Sequence, residues 1–468
     1  MVKQLSGQDR SFLDMERMGL PQHVTSVAIY DQKTAPGGKV RFKQILEHLE
    51  SRLHLSPLFH SKLQNVPAGL DNPYLVDDPG FDIEYHVRHI ALPKPGDWRQ
   101  LCIMMARINA RPLDMTRPLW EVYVIEGLDS IEHIPTGCFA LLIRVHHSLM
   151  DGASGAQMIA AIHDLSPEAS KREKESAVIH KAPSQMAMYG RAYANALRKP
   201  QRMLHLGRRF IDQQRARKDK GMEGAKRMVD TRFNKPEMSP HRVLDALTLD
   251  FAEVRTIKNT LEGATVNDVM LTLVGGALRR YLKAKDELPE VNLTCGCPID
   301  VRTDDERDSG GNLVGFMGVN LHTEIEDPWE RFIATRDASA EGKQFAHASD
   351  VRINQQVYDA VPGGLLTTAI RASVAIGTNI QPFNTMLTNV PGPPCQLYFA
   401  GAELVDGFGI GPLIPWIGLF HTASSAVQNK VGKINLSFWA DREMMPDPEF
   451  YRQCIEESYQ ELLDLASS

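Results

Sequence analysis

No stretch of the 468 residues offers the roughly 18 to 20 consecutive apolar residues that a membrane-spanning helix needs. The segment from Met1 to Arg17 is too polar for a secretory leader, so a cytoplasmic protein is expected. Cysteine is scarce: Cys102, Cys138, Cys295, Cys297, Cys395 and Cys454 form neither a disulfide framework nor a pair of Cys-x-x-Cys metal knuckles. His86 and His89 lack further ligands at a recognisable spacing, so no metal and no resident cofactor are expected. A Gly-x-Ser-x-Gly nucleophile elbow is missing, which removes that device for holding an acyl intermediate. Short-period repeats and low-complexity tracts are missing too.

What is present is enough apolar material, 43% of residues, for two hydrophobic cores, and a length that exceeds what one core usually serves. The net charge of −6 is unremarkable, but its distribution is not. Residues 171–230 hold 16 Lys or Arg against 6 Asp or Glu, a local +10. This basic stretch carries two weakly amphipathic segments, one with Met186, Tyr189, Tyr193 and Leu197 on a face, the other with Met203, Leu206 and Phe210. Both can form helices, either as a solvated linker or as a lipid-surface element. No recognisable nucleic-acid module accompanies the charge, so nucleic acid is not an expected partner.

Periodicity predicts helices near 41–53, 99–110, 153–165, 252–262, 266–284, 327–342 and 449–466. Strands are predicted at Val24–Tyr30, Val122–Ile125, Phe139–Val145, Asn292–Ile299, Leu313–Leu321, Thr385–Thr388 and Ile434–Trp439. Mixed order without a strict alternation argues for layered α/β or α+β units. The expected division is 1–165, a basic connector 166–240, and 241–468.

The most informative residues are His146-His147-Ser148-Leu149-Met150-Asp151-Gly152, at the end of the apolar run Phe139–Val145. That run makes a buried strand, Asp151-Gly152 makes a tight turn, and Ala153, Ala156, Ile159, Ala160 and Ile162 follow at roughly helical spacing. A histidine so held can take a proton from a hydroxyl and return it. Neighbours on extended backbone point to opposite faces, so one imidazole faces the reaction and the other serves the geometry. The bland reading is a structural histidine at a strand end. Ser148 is the only nearby hydroxyl and is expected to point away.

His-His-x-x-x-Asp-Gly after an apolar strand resembles the signature of the acyl-CoA-dependent acyltransferase superfamily, which includes chloramphenicol acetyltransferase and peptide-synthetase condensation domains. Other blocks are similar to one family within it, the bacterial wax ester synthase/diacylglycerol acyltransferases. They are Leu5-Ser6-Gly7-Gln8-Asp9 with Phe12-Leu13, the segment Phe81 to His89, Arg117-Pro118-Leu119-Trp120-Glu121, Val266-Asn267-Asp268-Val269, and Asn389-Val390-Pro391-Gly392-Pro393. The resemblance implies two chloramphenicol-acetyltransferase-like α/β domains with the active site in a channel between them. It implies fatty acyl-CoA as donor, a long-chain alcohol or diacylglycerol as acceptor, and a peripheral position on a membrane or lipid droplet. It also assigns the general base to His147, with His146 orienting it or touching the thioester. The rivals are a condensation-type acyltransferase on carrier-bound thioesters and a non-catalytic droplet-surface protein.

The second half has no such motif of its own and is expected to supply the opposite wall. Asn267 opens the helix at 266–284, where its amide could face an oxyanion. Asp268 is placed there too, although Thr265-x-x-Asp268 also reads as a capping box. Pro298-Ile299-Asp300-Val301-Arg302 looks like the segment of related enzymes whose arginine pairs with the motif aspartate. An Asp151–Arg302 ion pair is therefore expected, the alternative being that Arg302 solvates Asp304, Asp305, Glu306 and Asp308. Gly152, Pro118, Leu119, Trp120, Asn389, Pro391 and Gly392 are expected to shape the channel.

Overall fold

The strand announced by Phe139–Val145 is central to the first of two six-stranded sheets. In the computed structural model, residues 3–149, 160–168, 183–197, 201, 208, 229–300, 314–348, 368, 371–376, 379 and 382–467 are described. β7 (Cys138–His146) is buried at every position, as its mostly apolar sequence requires of a strand covered on both faces, with Arg144 and His146 its polar members. It runs antiparallel between β2 (His23–Asp31) and β6 (Trp120–Leu128), with β5 (Val87–Ala91) parallel to β6 at one edge.

Beyond β2, the first sheet is completed by strands from the far end of the chain. β13 (Ala402–Ile410) pairs antiparallel with β2, and β12 (Tyr398–Phe399) pairs with β13. The expected division at 240/241 thus separates stretches of sequence but not sheets. The physical reason is that β2 would otherwise present an open row of backbone donors and acceptors. A small third sheet has the order β1 (Lys3–Gln4), β4 (Tyr74–Asp77), β3 (Ser61–Gln64). The second six-stranded sheet has the order β10 (Val314–Asn320), β9 (Thr294–Asp300), β11 (Thr385–Val390), β14 (Leu419–Gln428), β15 (Val431–Asp441), β8 (Arg242–Asp250).

Three large apolar cores follow from this. One packs the first sheet against α2 (Phe42–Glu50) and the loops around Phe59 and Leu113. A second packs the second sheet against α6 (Phe251–Asn259), α7 (Val266–Ala284) and α9 (Pro448–Ser467). The third joins the halves: Val27, Ile29 and Leu142 of the first sheet and Leu101 and Met105 of α4 (Trp98–Asn109) share it with Leu244, Met386, Phe420 and Trp439. α8 (Pro328–Ala348) lies against β10 and α7. α3 (Ile83–His86) is a single turn. The mixed layers are those the sequence predicts.

Phe233 and Asn234, from the stretch read as connector, are buried in the second half, where Asn234 donates to the carbonyls of Asn384 and Trp416. The connector's first amphipathic segment is helical over 185–197, here α5. Its buried residues are Met188 and Ala192, packed on Val66, Tyr74 and Val76, whereas the stripe of Met186, Tyr189, Tyr193 and Leu197 is exposed. The second segment, with Met203, Leu206 and Phe210, and residues 153–159 of the helix expected over 153–165 lie outside the described residues, and 160–162 are helical. The expected elements omit α1 (Gly7–Glu16), β13 and β14. α1 is short and polar, and the two strands are diluted with Gly, Ala and Ser, which carry little strand propensity.

A buried ion pair ties three of these parts together. The Arg52 Nη2 lies 2.8 Å from both Asp164 carboxylate oxygens, and both side chains are almost wholly buried. The Asp164 main chain exchanges two hydrogen bonds with Tyr398 of β12, of 2.8 and 2.9 Å. Removing one member of a buried pair strands the other charge, so Asp164→Asn should lower the unfolding free energy by about 3 kcal/mol in urea denaturation. A loss below about 1 kcal/mol would mean that the pair contributes little to holding this junction.

Candidate functional site

The backbone of the histidine turn is clamped from both sides. His146 N–H donates to the carbonyl of Leu119 at 3.0 Å, and His147 N–H donates to the carbonyl of Gln22 at 2.8 Å. Leu149 N–H closes the turn onto the His146 carbonyl at 3.0 Å. Pro118-Leu119-Trp120 therefore supports the strand end: Leu119 and Trp120 are buried core residues, and the Trp120 indole donates to the Phe59 carbonyl at 2.9 Å. Trp120 stacks on His86, whose Nδ1 meets the Trp120 carbonyl at 2.7 Å, so two of the similar sequence blocks meet here in one packed layer.

His146 is fully buried with partners on both ring nitrogens. The Ser148 backbone N–H donates to Nδ1 at 3.1 Å, and the Ser148 hydroxyl lies 2.7 Å from the same atom. A backbone N–H can only donate, so Nδ1 is an acceptor and the ring proton sits on Nε2, which donates to Glu16 Oε2 at 2.9 Å. Ser148, expected to point away, instead turns back on His146, because the tight turn folds its side chain over the preceding ring. Glu16 Oε2 also accepts from Gln22 N–H at 3.0 Å, and the Gln22 side chain donates to the Leu413 carbonyl at 2.9 Å. The clamp thereby reaches the second half of the chain.

His147 points the other way, as alternation along extended backbone requires. Its half-buried ring stacks on Phe12, with centroids 4.0 Å apart and planes 16° from parallel. Burial pulls its pKa down to about 4, opposed by a hydrogen bond to its own backbone and reinforced by the neighbouring His146. The ring is neutral at neutral pH and can accept a proton.

Phe12 and Glu16 are one helical turn apart on α1, which explains the similarity of the opening block. Ser6 accepts from Asp9 N–H and Asp9 accepts from Ser6 N–H, both at 3.1 Å, a capping box that starts the helix presenting these two side chains. Sequence reasoning assigned nothing to Glu16 or Gln22. The available signal was the capping box, with Glu16 four residues after Phe12.

The remaining candidates belong to the second half. Asn267 is half-buried in the first turn of α7, and Asp268 completes a capping box with Thr265, its Oδ2 accepting from the Thr265 N–H and hydroxyl at 2.8 Å each. Asn389 lies exposed near the end of β11, opposite Ala423 of β14. Pro391 is exposed, and Gly392 donates to the Ser425 hydroxyl at 3.2 Å. A Cβ on Gly392 would fall 2.0 Å from the Ser425 carbonyl oxygen, so only glycine permits this approach. Asp151, Gly152 and Arg302, and with them the expected ion pair, lie outside the described residues.

Two family models match the chain: the wax ester synthase/diacylglycerol acyltransferase catalytic domain over residues 5–270 and the WS/DGAT C-terminal domain over residues 310–463. A Mycobacterium tuberculosis protein provisionally named as a diacylglycerol O-acyltransferase is 31% identical over 99% of this chain and 90% of its own. Among solved structures, the wax ester synthase/diacylglycerol acyltransferase of Marinobacter aquaeolei VT8 superposes with a TM-score of 0.70 at 24% identity, covering all of both chains. The starter condensation domain of rhizomide synthetase, solved with C8-CoA, gives 0.55 at 13% identity over 100% of this chain and 95% of that one. At those identities the two structures speak for the fold. Among the described residues no helix is long and apolar enough to cross a membrane.

The site carries its own test before any substrate is added. In histidine-labelled protein followed by NMR, the His147 ring should titrate near pH 4, because burial favours the neutral form and extends it to lower pH. A ring titrating near 6.5 would show that His147 is solvated and that the stack on Phe12 is not maintained.

Proposed function

Because this chain belongs to the wax ester synthase/diacylglycerol acyltransferase family and is an acyltransferase, we propose that it moves a fatty acyl group from acyl-CoA to the hydroxyl of a long-chain alcohol or a diacylglycerol, with His147 as general base. The observation that carries the assignment of the base is the commitment of His146, whose two ring nitrogens are taken by Ser148 and Glu16. Acid–base work falls to its neighbour.

His147 Nε2 takes the acceptor's hydroxyl proton as that oxygen attacks the thioester carbon. The tetrahedral intermediate collapses, the carbon–sulfur bond breaks, and the thiolate of CoA receives the proton from His147. An ester and free CoA result, with no covalent acyl-protein stage. The oxygen of the intermediate needs a donor, and Asn267, at the positive end of a 19-residue helix, is the candidate from the facing half. Asp151 with Arg302 would hold the motif turn, and Asn389, Pro391 and Gly392, with Pro118, Leu119, Trp120, Gly152 and Asp268, would shape the channel. Both substrates are lipids, so the enzyme would work as a peripheral protein on a membrane or droplet. The condensation-type and non-catalytic readings are not favoured, since the two family models that match are the wax ester synthase/diacylglycerol acyltransferase catalytic domain and the C-terminal domain of the same family.

Purified protein should release CoA from palmitoyl-CoA when hexadecanol or a diacylglycerol is supplied. His147→Ala should lower kcat by about 10² to 10⁴, and unaltered release would overturn the choice of base. Glu16→Gln should lower kcat by about tenfold or more with little change in the KM for palmitoyl-CoA, because losing an orienting carboxylate misplaces the imidazole it holds. A change confined to KM would assign Glu16 to binding instead.

A further inference from the structure

Helix α5 is apolar on two opposite sides. Met188 and Ala192 face inward, 3% and 4% exposed, on Val66, Tyr74 and Val76, and the Asn195 amide donates to Asp71 at 2.7 Å. These contacts seat the helix on the small β3–β4 layer. Its outward side carries Met186, Tyr189, Tyr193 and Leu197, exposed by 87%, 46%, 69% and 62%. Their spacing of three, four and four residues puts them in one stripe along the helix. Single exposed apolar residues are ordinary on a soluble protein, but four aligned on a firmly seated helix make a docking face.

The charge around the stripe indicates what covers it. From Ser176 to Ile211 the chain holds seven Lys or Arg and no Asp or Glu, and Arg191 is exposed on the helix itself. A protein partner would ordinarily meet charges of both signs. An anionic phospholipid surface presents one sign, and tyrosine, with an apolar body and a polar tip, suits its headgroup layer.

The position also fits. Beside the small layer is a cavity of about 330 Å³ bordered by Arg10 and Leu13 of α1, by Arg17 just past its end, and by Val66, Pro67 and Asp71. The other side of α1 carries Phe12 and Glu16, which touch His147 and His146. One helix thus separates the outward-facing edge from the histidines.

We propose that α5 is the lipid-docking element, its Met186, Tyr189, Tyr193 and Leu197 face entering the headgroup layer of an anionic phospholipid surface while Arg191 meets lipid phosphate. The proposal rests on the peripheral association argued above and names the surface responsible. The test is flotation of the full-length protein with phosphatidylcholine vesicles, with and without phosphatidylglycerol, beside a triple variant Met186→Ser, Tyr193→Ser, Leu197→Ser and the single variant Tyr193→Glu. Both variants change only exposed side chains, and CoA release with a water-soluble short-chain alcohol should stay at the wild-type level, reporting an intact fold.

The expected result is binding of the wild type to phosphatidylglycerol vesicles and a drop of about tenfold or more in the triple variant, as the loss of three inserted apolar side chains implies. Wild-type binding with unchanged binding of both variants would overturn the assignment to α5 and leave peripheral association standing. Failure of the wild type to bind either vesicle would overturn both. A concentration-dependent dimer in sedimentation velocity, abolished by the triple variant, would assign the face to a second copy and overturn the lipid proposal.

Discussion

A fully buried imidazole must find a partner for each ring nitrogen, and meeting that demand at His146 organises the centre of this molecule. An unsatisfied buried polar atom costs about 1 to 3 kcal/mol, so the ring cannot sit at the end of β7 alone. Ser148 satisfies one nitrogen from within the turn, and Glu16 satisfies the other from α1. The carboxylate in turn accepts from Gln22, whose carbonyl holds His147 N–H and whose side chain reaches Leu413. Satisfying one residue therefore fixes the direction of its neighbour, the placement of the first helix and a contact with the far half of the chain.

Much of this was legible in the sequence, and the reasons differ by residue. The strand Phe139–Val145 could be read because a central strand is apolar nearly throughout, and the helix Val266–Ala284 because its periodicity is long and its capping box explicit. The opposite directions of His146 and His147 follow from strand geometry alone. Glu16 could not be found this way, since its partner lies 130 positions along the chain and only folding brings them together. Ser148 was misjudged because alternation was extended one residue past the strand, into a turn where it no longer applies. On α5, periodicity located an apolar stripe but not which side of a two-sided helix the fold would bury. Composition cannot decide that, because both sides are apolar.

The family resemblance and the physical reading inform different parts of the result. The blocks beginning at Leu5, Phe81 and Arg117 identified the family, and the structure supplies their physical roles: a helix cap, a stacked aromatic layer and a carbonyl that clamps the histidine strand. None of the three needs to touch a substrate to be necessary. The chemistry is concentrated in very few side chains, and most of the recognisable sequence positions them.

The loan of β12 and β13 to the first sheet has a further consequence. The backbone hydrogen bonds of β13 to β2, and the return of the chain into β14, stitch the two sheets together at a second point besides the basic connector. Length can therefore be added to or removed from the connector at little cost in closure entropy without letting the halves drift apart. The spacing of the sheets is set by this crossing of the chain and by the apolar core that joins the halves rather than by the tether. An architecture of that kind resists the hinged opening and closing that a single flexible tether would permit.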